Sequence, residues 1–218
     1  MKSFGVAKQR LADMLGAGSR QALAQAMFSD VLGTLRRVPE LDEIAVVTGD
    51  RAAQAAASGA RVTVLHDGAQ SGQSNATLIG IRYALDAGYD RAVLVPGDTP
   101  LLEPGELTGL INGTRAVVVV PDRHGTGTNA LVLSPPDAIE PSFGPDSFAR
   151  HLAAAEAAGV PHRVEEVPGL ALDVDTPGDL AELAAALEGR RGRAASTRGA
   201  LSQLERAGAW TAPVRASA

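Results

Sequence analysis

Short apolar runs, many of them β-branched, recur along the chain and alternate with stretches that carry helical signals. These runs predict β-strands. Several of them, such as AVLV and AVVVV, are apolar without alternation, which is typical of strands buried on both faces of a largely parallel sheet. The predicted strands span residues 43–48, 61–65, 92–95, 116–120, 130–133, 163–167 and 170–172.

The stretches between these runs predict helices. In residues 19–35, Leu23, Met27 and Val31 recur at every fourth position and form one apolar stripe. Asp50 can cap a helix that ends at Gly59, and Asp146 can cap one that ends at Gly159. A further helix over residues 75–87 ends at Gly88, and Thr176-Pro177-Gly178-Asp179 starts the last helix. The alternation of strands and helices predicts a three-layer α/β sandwich.

Length and composition narrow the class of protein. The chain has 218 residues, 45% of them hydrophobic, which is enough to bury a substantial core. No apolar run approaches the ~20 residues that a membrane helix needs, and the opening MKSFGVAKQR lacks the apolar stretch of a signal peptide. The absence of cysteine excludes disulfides, thiol nucleophiles and thiolate metal sites. We therefore expect a cytoplasmic protein without a membrane partner.

Charge is distributed unevenly along the chain. Residues 189–218 contain six arginines and one acid, so that residues 1–188 carry a net charge of −10 out of the total of −5. An acidic body with 3% aromatic residues argues against nucleic-acid binding, which depends on basic groups and stacking rings. The sequence predicts a globular domain over residues 1–188 and a basic, mostly disordered tail over residues 189–218, with a short helix around residues 201–206.

Carboxylates lie at the predicted carboxyl ends of strands, where α/β sheets bind their ligands. Asp98 follows AVLV in a stiff turn, and alternation places Asp173 and Asp175 on one side of an extended segment. Acids on one side repel each other unless a cation or donor lies between them. Three carboxylates from two strand ends could hold one or two Mg²⁺ ions. In the alternative interpretation they cap a turn and a helix or are solvated.

Two further kinds of segment suit anions. Lys2, Lys8 and Arg10 precede a predicted helix and could contact phosphate groups. Glycine-, serine- and threonine-rich loops at residues 122–129 and 143–148, the second entering a helix, suit a small anion such as a phosphorylated acid. A solvated basic segment and two plain turns are the alternative interpretations. The P-loop motif GxxxxGK[ST] is not present.

The runs VLVPGDTPLL, VPDRHGTGTNALVL, FGPDSFARH and LDVDTPGDL resemble the guanylyltransferases of coenzyme F-420 biosynthesis, which belong to the Rossmann-like (GT-A-like) nucleotidyltransferases. The resemblance covers residues 2–187, and the GTGTNALVL and FGPDSFARH combination is specific to that family. It implies an α/β three-layer sandwich with a mostly parallel mixed sheet. It also implies transfer of GMP from GTP to a small phosphorylated acid with release of diphosphate. Phosphoenolpyruvate, the acceptor of bacterial members, is favoured over the alternatives 2-phospho-L-lactate and 3-phospho-D-glycerate.

The resemblance implies a role for each matching position. By role, these positions are the Mg²⁺ ligands Asp98, Asp173 and Asp175; the nucleotide contacts Lys2, Lys8, Arg10, Gly72 and Asn75; the acceptor contacts Thr128, Gly144 and Ser147; and the catalytic residues Lys8, Arg10 and Asp98. An acceptor phosphate is already an anionic nucleophile at neutral pH, so this chemistry needs no general base. The main obstacle is repulsion between two anionic substrates, which Mg²⁺ and the basic residues would neutralise.

One departure from the family concerns the N-terminus. Family members carry an apolar, central strand just before the lysine that matches Lys2, whereas here only Met1 precedes it. Neighbouring strands without that partner would leave backbone groups unpaired, each costing about 1–3 kcal/mol if buried. We therefore expect the natural protein to begin upstream of Met1, and the phosphate roles of Lys2 and Lys8 depend most on that start.

Three other functions are compatible with parts of the pattern. A molybdenum-cofactor or sugar-phosphate nucleotidyltransferase shares the fold and the aspartates, but KSFGVAKQRL lacks the paired-glycine signature of those groups. A glycosyltransferase could use the Asp-x-Asp pair, yet that does not account for GTGTN with FGPDS. A non-catalytic nucleotide-binding module is disfavoured by the presence of all three aspartates. A homodimer is left open.

Overall fold

The computed structural model describes residues 4, 7–59, 61–68, 72–113, 116–188 and 192–211. In chain order its elements are a 3-10 turn (Gln9–Leu11), α1 (Ala17–Leu35), β1 (Ile44–Thr48), α2 (Arg51–Ala57), β2 (Val62–His66), α3 (Gln73–Asp86), β3 (Ala92–Leu94), α4 (Pro104–Ile111), β4 (Val117–Pro121), β5 (Thr128–Leu133), α5 (Ser147–Ala157), β6 (His162–Val164), α6 (Pro177–Leu187) and α7 (Ala195–Arg206). The prediction of an α/β chain is confirmed. Over the described ranges, no helix combines the length and apolar character needed to cross a membrane.

The strands form two sheets. β1 and β2 pair in parallel, and the second sheet has the order β3-β5-β4-β6. In that sheet β4 and β6 are parallel, while β5 runs antiparallel to both β3 and β4. The sheet arrangement is therefore mixed, because β5 returns directly from β4 through a short loop instead of a helical crossover.

Helices cover both faces of the second sheet. Val117 and Val119 of β4 pack in one apolar cluster with residues of α3 and α5, whereas Val118 and Val120 pack in another with residues of α4. All four of these valines are buried. The unbroken apolar run is thus explained, since alternate side chains of β4 enter different layers of the core.

The first sheet shares its helical layer with the second. Phe28 of α1 packs with Val46 of β1, and a Cβ on Gly80 of α3 would lie 3.6 Å from Val47 on the same strand. Helix α3 also contributes Ile81 to the core of the second sheet. β1 and β3 are edge strands in the described pairing, and both line one cleft of about 1540 Å³. The expected strand before Lys2 stays a prediction, and residues 1–3 lie outside the described residues.

The predicted strand at residues 170–172 is wrong. The backbone N–H of Leu170 donates to Val167 O at 2.9 Å, so the segment is a turn. Gly169 lies so close to the loop before α4 that a Cβ would come within 2.7 Å of Leu102 Cα, and its N–H donates to Glu106 at 2.8 Å. Leu170 is fully buried in this turn, which explains why its apolar pattern imitated a strand. Helix α4, which supplies Glu106, was not among the predicted helices.

Two of the three predicted aspartate or threonine caps are confirmed. The Asp50 carboxylate accepts hydrogen bonds from the first turn of α2, and Thr176 and Asp179 form a reciprocal capping box at the start of α6. Asp146 occupies the N-cap position of α5 with a φ of 56°, and its side chain makes no capping hydrogen bond there. That prediction is wrong, because the left-handed backbone of Asp146 is not the extended conformation from which a cap side chain reaches the first turn.

The tail differs from the expected disorder over residues 195–211. Helix α7 packs along α1, and Leu201, Leu204 and Trp210 are buried in the cluster that α1 and α6 form. The expected helix around residues 201–206 is therefore part of a longer one. Composition concealed the helix, because only one narrow stripe of α7 is apolar and the rest is polar, basic or small. The predicted boundary at residues 188 and 189 adjoins residues 189–191, which lie outside the described residues.

The start of α7 is held by one carboxylate from α1. Asp30 accepts hydrogen bonds from Ser196 N at 3.1 Å, Thr197 N at 2.7 Å and Thr197 Oγ1 at 2.7 Å. We expect Asp30→Ala to lower the free energy of unfolding by roughly 1–2 kcal/mol, as loss of a helix cap does. Urea unfolding measures it, with exposed Asp13→Ala as the control. Equal unfolding midpoints for the two variants would contradict this role.

Candidate functional site

The cleft between the two sheets ends at the loops that follow the strands. Its lining includes Lys8 and Arg10, the loop after β3 with Asp98, and the segment before α6 with Asp173 and Asp175. It also includes the β4–β5 loop and the start of α5. These loops lie together because α/β sheets gather the connections of their strands at one edge.

Lys8 holds the acidic residues together. Its buried ammonium donates a close hydrogen bond to Asp98 and a second one, of 3.1 Å, to Asp175 Oδ1. Arg10, whose side chain is exposed, places Nη1 3.8 Å from Asp175 Oδ2. Lys8 has a φ of 56°, a left-handed backbone that only a few non-glycine residues adopt. The site thus maintains an unfavourable local conformation to bring this ammonium between two carboxylates.

The charges at this centre do not balance. Burial lowers the pKa of the Lys8 amine, but the charges of Asp98 and Asp175 and their hydrogen bonds outweigh that effect and raise it. For Asp173, burial and the charges of Asp98 and Asp175 raise the pKa, and a hydrogen bond from Asn129 Nδ2, at 3.4 Å, opposes the rise only in part. Lys8 therefore compensates Asp98 and Asp175, while no ion pair among the described residues compensates Asp173.

A second ion-pair cluster supports the segment of Asp175 from behind. The Asp179 carboxylate accepts hydrogen bonds from Asp175 N at 2.9 Å and Thr176 N at 2.7 Å. Arg123 in the β4–β5 loop forms ion pairs with Asp179 and Glu182 of α6. Burial raises the pKa of Asp179, but these backbone hydrogen bonds and Arg123 outweigh it and lower the pKa. Asp179 is thus ionised at neutral pH, and its carboxylate fixes the backbone of Asp175.

The three predicted acceptor residues lie together on one wall of the cleft. Thr128 N donates to Ser147 Oγ at 2.9 Å, and Ser147 N donates to Gly144 O at 3.1 Å. Gly144 has a φ of 116°, which favours glycine at this turn. The arrangement presents two hydroxyl groups at the N-terminus of α5, where the helix dipole favours an anion. The first two backbone amides of the helix, Ser147 N and Phe148 N, already donate to Gly144 O and Thr126 O.

Gly72 and Asn75, the two loop residues predicted to contact the nucleotide, lie in different surroundings. Gly72 lines the cleft at the N-terminus of α3 with a φ of 102°. Asn75 is exposed on the first turn of α3 and is not part of the cleft lining. Between them Ser74 Oγ accepts a hydrogen bond of 3.0 Å from Phe143 N, which ties α3 to the acceptor loop. Lys2 lies outside the described residues.

Four supporting residues were not singled out from the sequence. Asn129, Ser74 and His151 each stand inside a motif that was recognised as a unit, and Arg123 stands in a loop whose glycines drew attention instead. Asn129 is buried and donates to Leu170 O at 2.6 Å as well as to Asp173. A buried polar side chain next to a glycine-rich loop is the signal that would have identified it.

The carboxylate cluster fits a divalent cation in donor chemistry. Mg²⁺ prefers oxygen ligands. Burial, together with the charges of Asp98 and Asp175, raises the pKa of Asp173, which has no ion-pair partner among the described residues. In the part of the chain that the structure describes, no three acidic or histidine side chains already converge as metal ligands. The ammonium of Lys8 lies between Asp98 and Asp175, so binding of an ion there requires that this ammonium turn away from one of them.

Removing the excess charge should stabilise the protein when no divalent metal is present. Because the folded pKa of Asp173 is raised, its favourable protonated form is lost as the pH rises through that value, and stability falls with it. At pH 7 we expect Asp173→Asn to raise the melting temperature by about 2–4 °C, the shift that ~1 kcal/mol causes in a protein of this size. Differential scanning calorimetry in EDTA tests this. A lower melting temperature than that of the unaltered protein would contradict the assignment.

Comparison with known proteins identifies the family of the chain. The family model described as "Guanylyl transferase CofC like" matches residues 1–197. The chain is 49% identical over 210 residues to a phosphoenolpyruvate guanylyltransferase of Conexibacter woesei, covering 94% of each chain. It is 38% identical to the protein of the same name from Sphaerobacter thermophilus, covering 84% of this chain and 89% of that one.

Solved structures show the same fold at lower identity. A putative nucleotide-diphospho-sugar transferase from Desulfovibrio desulfuricans superposes with a TM-score of 0.75 at 20% identity, covering 94% of this chain and 93% of that one. A nucleotidyl transferase from Methanothermobacter thermautotroptrophicus gives a TM-score of 0.57 at 21% identity, over 75% and 80% of the two chains. The fold is that of the nucleotidyltransferases, and the chain belongs to the family of CofC-like guanylyltransferases.

Proposed function

We propose that this protein transfers GMP from GTP to phosphoenolpyruvate, forming enolpyruvoyl-2-diphospho-5'-guanosine and diphosphate, in coenzyme F-420 biosynthesis. The observation that carries the proposal is that one cleft holds both an acidic centre with Lys8 and a hydroxyl-lined helix N-terminus at Thr128 and Ser147. The first suits a metal-bound triphosphate, and the second suits a small phosphorylated acid. The names of the similar proteins from Conexibacter woesei and Sphaerobacter thermophilus support phosphoenolpyruvate as the acceptor.

The reaction is a single displacement at phosphorus. An oxygen of the acceptor phosphate forms a bond to the α-phosphorus of GTP while the bond from that phosphorus to the bridging α–β oxygen breaks, and diphosphate leaves with the electron pair. The nucleophile is already anionic at neutral pH, so that no side chain needs to remove a proton. The enzyme's task is to bring two anions into line and to stabilise the charge that develops on the leaving group.

Lys8 and Arg10 are suited to that electrostatic task. Lys8 stays charged, because the two carboxylates that it contacts raise its pKa. Arg10 is exposed at the mouth of the cleft and can turn toward a triphosphate without losing a buried contact, since its only ion pair described is the 3.8 Å contact with Asp175. A buried fixed cation and a mobile exposed one would neutralise opposite ends of the triphosphate.

We further propose that Asp98, Asp173 and Asp175 hold one or two Mg²⁺ ions. Such an ion, when bound, supplies positive charge to phosphate oxygens and to the leaving diphosphate. Asp173 is the most suitable carboxylate, because its negative charge is the least compensated of the three. The backbone N–H of Asp175 donates to Asp179 Oδ2, so that the segment carrying the Asp175 carboxylate is fixed before the ion arrives.

Diphosphate release is the test of the reaction. With GTP and Mg²⁺ we expect turnover with phosphoenolpyruvate, and separate reactions with 2-phospho-L-lactate and 3-phospho-D-glycerate show the preference among acceptors. Asp98→Asn should lower kcat by about 100-fold or more, which is typical for loss of one electrostatic group at a reacting phosphate or oxyanion. Asp137→Asn, at an exposed loop position, is the control and should retain full activity. A folded protein that releases no diphosphate with any of the three acids would refute the proposal.

Metal binding has a readout that does not depend on activity. Mg²⁺ at a hundredfold excess over its Kd should stabilise the folded protein by about 2.7 kcal/mol. We expect the resulting rise in melting temperature to disappear in Asp98→Asn and Asp173→Asn and to persist in Asp137→Asn. An equal rise in all four proteins would place the ion elsewhere.

A further inference from the structure

His151 of α5 is buried directly behind the acceptor wall. Its exposed fraction is 0%, and the edge of the Phe143 ring packs against it with ring centroids 5.2 Å apart. Both ring nitrogens are in hydrogen-bond contact: Nδ1 lies 2.9 Å from Thr128 Oγ1, and Nε2 lies 2.8 Å from Ser142 N. The imidazole thus connects the strand that carries Thr128 with the loop that leads into α5.

These contacts determine which ring nitrogen carries the proton. The backbone N–H of Ser142 can only donate, so Nε2 must accept and carries no hydrogen. Burial and the neighbouring charge of Arg150 lower the pKa of His151 to about 4, so the ring is neutral at pH 7. A neutral imidazole without a proton on Nε2 carries it on Nδ1. Nδ1–H therefore donates to Thr128 Oγ1.

The direction of that hydrogen bond determines what Thr128 can offer to a ligand. Since Thr128 Oγ1 accepts from His151, the hydroxyl hydrogen of Thr128 points elsewhere. Ser147 Oγ likewise accepts, from Thr128 N at 2.9 Å. Among the described residues neither hydroxyl hydrogen has an acceptor, and both residues line the cleft. Two hydroxyl groups are thus oriented as donors, which is the polarity that an anion needs.

We propose that His151 is a positioning residue that makes the Thr128 hydroxyl a hydrogen-bond donor to the phosphorylated acceptor. The inference rests on the proposed function, because it assigns a role within the acceptor site. With the proton on Nε2 instead, His151 would face the Ser142 N–H with a second donor, and Thr128 would donate into the protein. Its lone pairs would then face the anion and repel it.

Two polar replacements separate the roles of the two nitrogens. The shorter amide in His151→Asn can place its nitrogen near Nδ1 and still donate to Thr128, while losing the contact with Ser142. The longer amide in His151→Gln reaches the position of Nε2 and can accept from Ser142, while losing donation to Thr128. His151→Leu removes both contacts and keeps an apolar volume in the buried site.

Steady-state kinetics should show a split between the two substrates. In His151→Gln and His151→Leu we expect the KM for the acceptor to rise roughly 10- to 100-fold, the equivalent of one hydrogen bond to a charged group, while the KM for GTP stays within about twofold. His151→Asn should restore most of the acceptor KM. In a Thr128→Val background, His151→Leu should cause no further rise, because the two residues act through one hydrogen bond. His162→Leu, at an exposed histidine of β6, is the control.

The position of the proton is measured without turnover. Long-range ¹H–¹⁵N NMR of the ¹⁵N-histidine-labelled full chain at pH 7 distinguishes the two tautomers. We expect His151 to carry its proton on Nδ1. A ring protonated on Nε2 overturns the inference whatever the kinetics show.

The outcomes separate this inference from the proposed function. Failure of the unaltered protein to turn over any of the three acids refutes the proposed function, and calorimetric binding of phosphoenolpyruvate to the same His151 variants then replaces the kinetic comparison. An unchanged acceptor KM, or unchanged phosphoenolpyruvate binding, in His151→Leu overturns the positioning role. So does an equal rise in KM for both substrates, since that indicates general loss of structure.

Discussion

The contact of the Lys8 ammonium with Asp98 and Asp175 is the interaction on which the site depends. It joins the N-terminal turn, the loop after β3 and the segment before α6, which are 90 and 167 residues apart from Lys8 in sequence. A buried ammonium is costly unless carboxylates compensate it, and the partly exposed Asp98 and Asp175 supply that compensation from two distant segments. The hydrogen bonds of Lys8 therefore hold the three segments together at one point. The left-handed backbone of Lys8 is the local cost of that arrangement.

Around this centre some charged side chains are held in ion pairs, whereas others are left without a close partner among the described residues. Asp179, Arg123 and Glu182 form an ion-pair cluster behind the site that maintains the backbone of Asp175. Asp173 and Arg10 are the opposite case, since among the described residues Asp173 has no compensating ion pair and the exposed Arg10 has one long one. A site that must accept a highly charged substrate and release a charged product needs both kinds of group.

Much of the fold followed from periodicity. The six observed strands each overlap a predicted one, and the unbroken apolar character of β4 correctly indicated burial on both faces. The turn at Leu170 was mistaken for a strand because burial, and not extension, determines where apolar residues occur. The antiparallel return of β5 could not be inferred, because pairing depends on contacts between distant segments.

The candidate site likewise has residues that the sequence predicts and contacts that it does not. Asp98, Asp173 and Asp175 were identifiable because strand ends and side-chain alternation predict where their carboxylates lie. The pairing of Lys8 with two of them was not, since it depends on where the N-terminal turn packs. The tautomer of His151 depends on a single backbone N–H from another loop, and no pattern in the sequence encodes such a contact.

The hydrogen bond from Phe143 N to Ser74 Oγ joins the first turn of α3 to the loop that leads into α5. This hydrogen bond couples the motions of these two walls of the cleft before any ligand binds. A ligand that restrains either wall also reduces the conformational entropy that remains to be lost at the other. Thermodynamic reciprocity then requires that each ligand change the affinity for its partner by the same factor, whichever of them binds first.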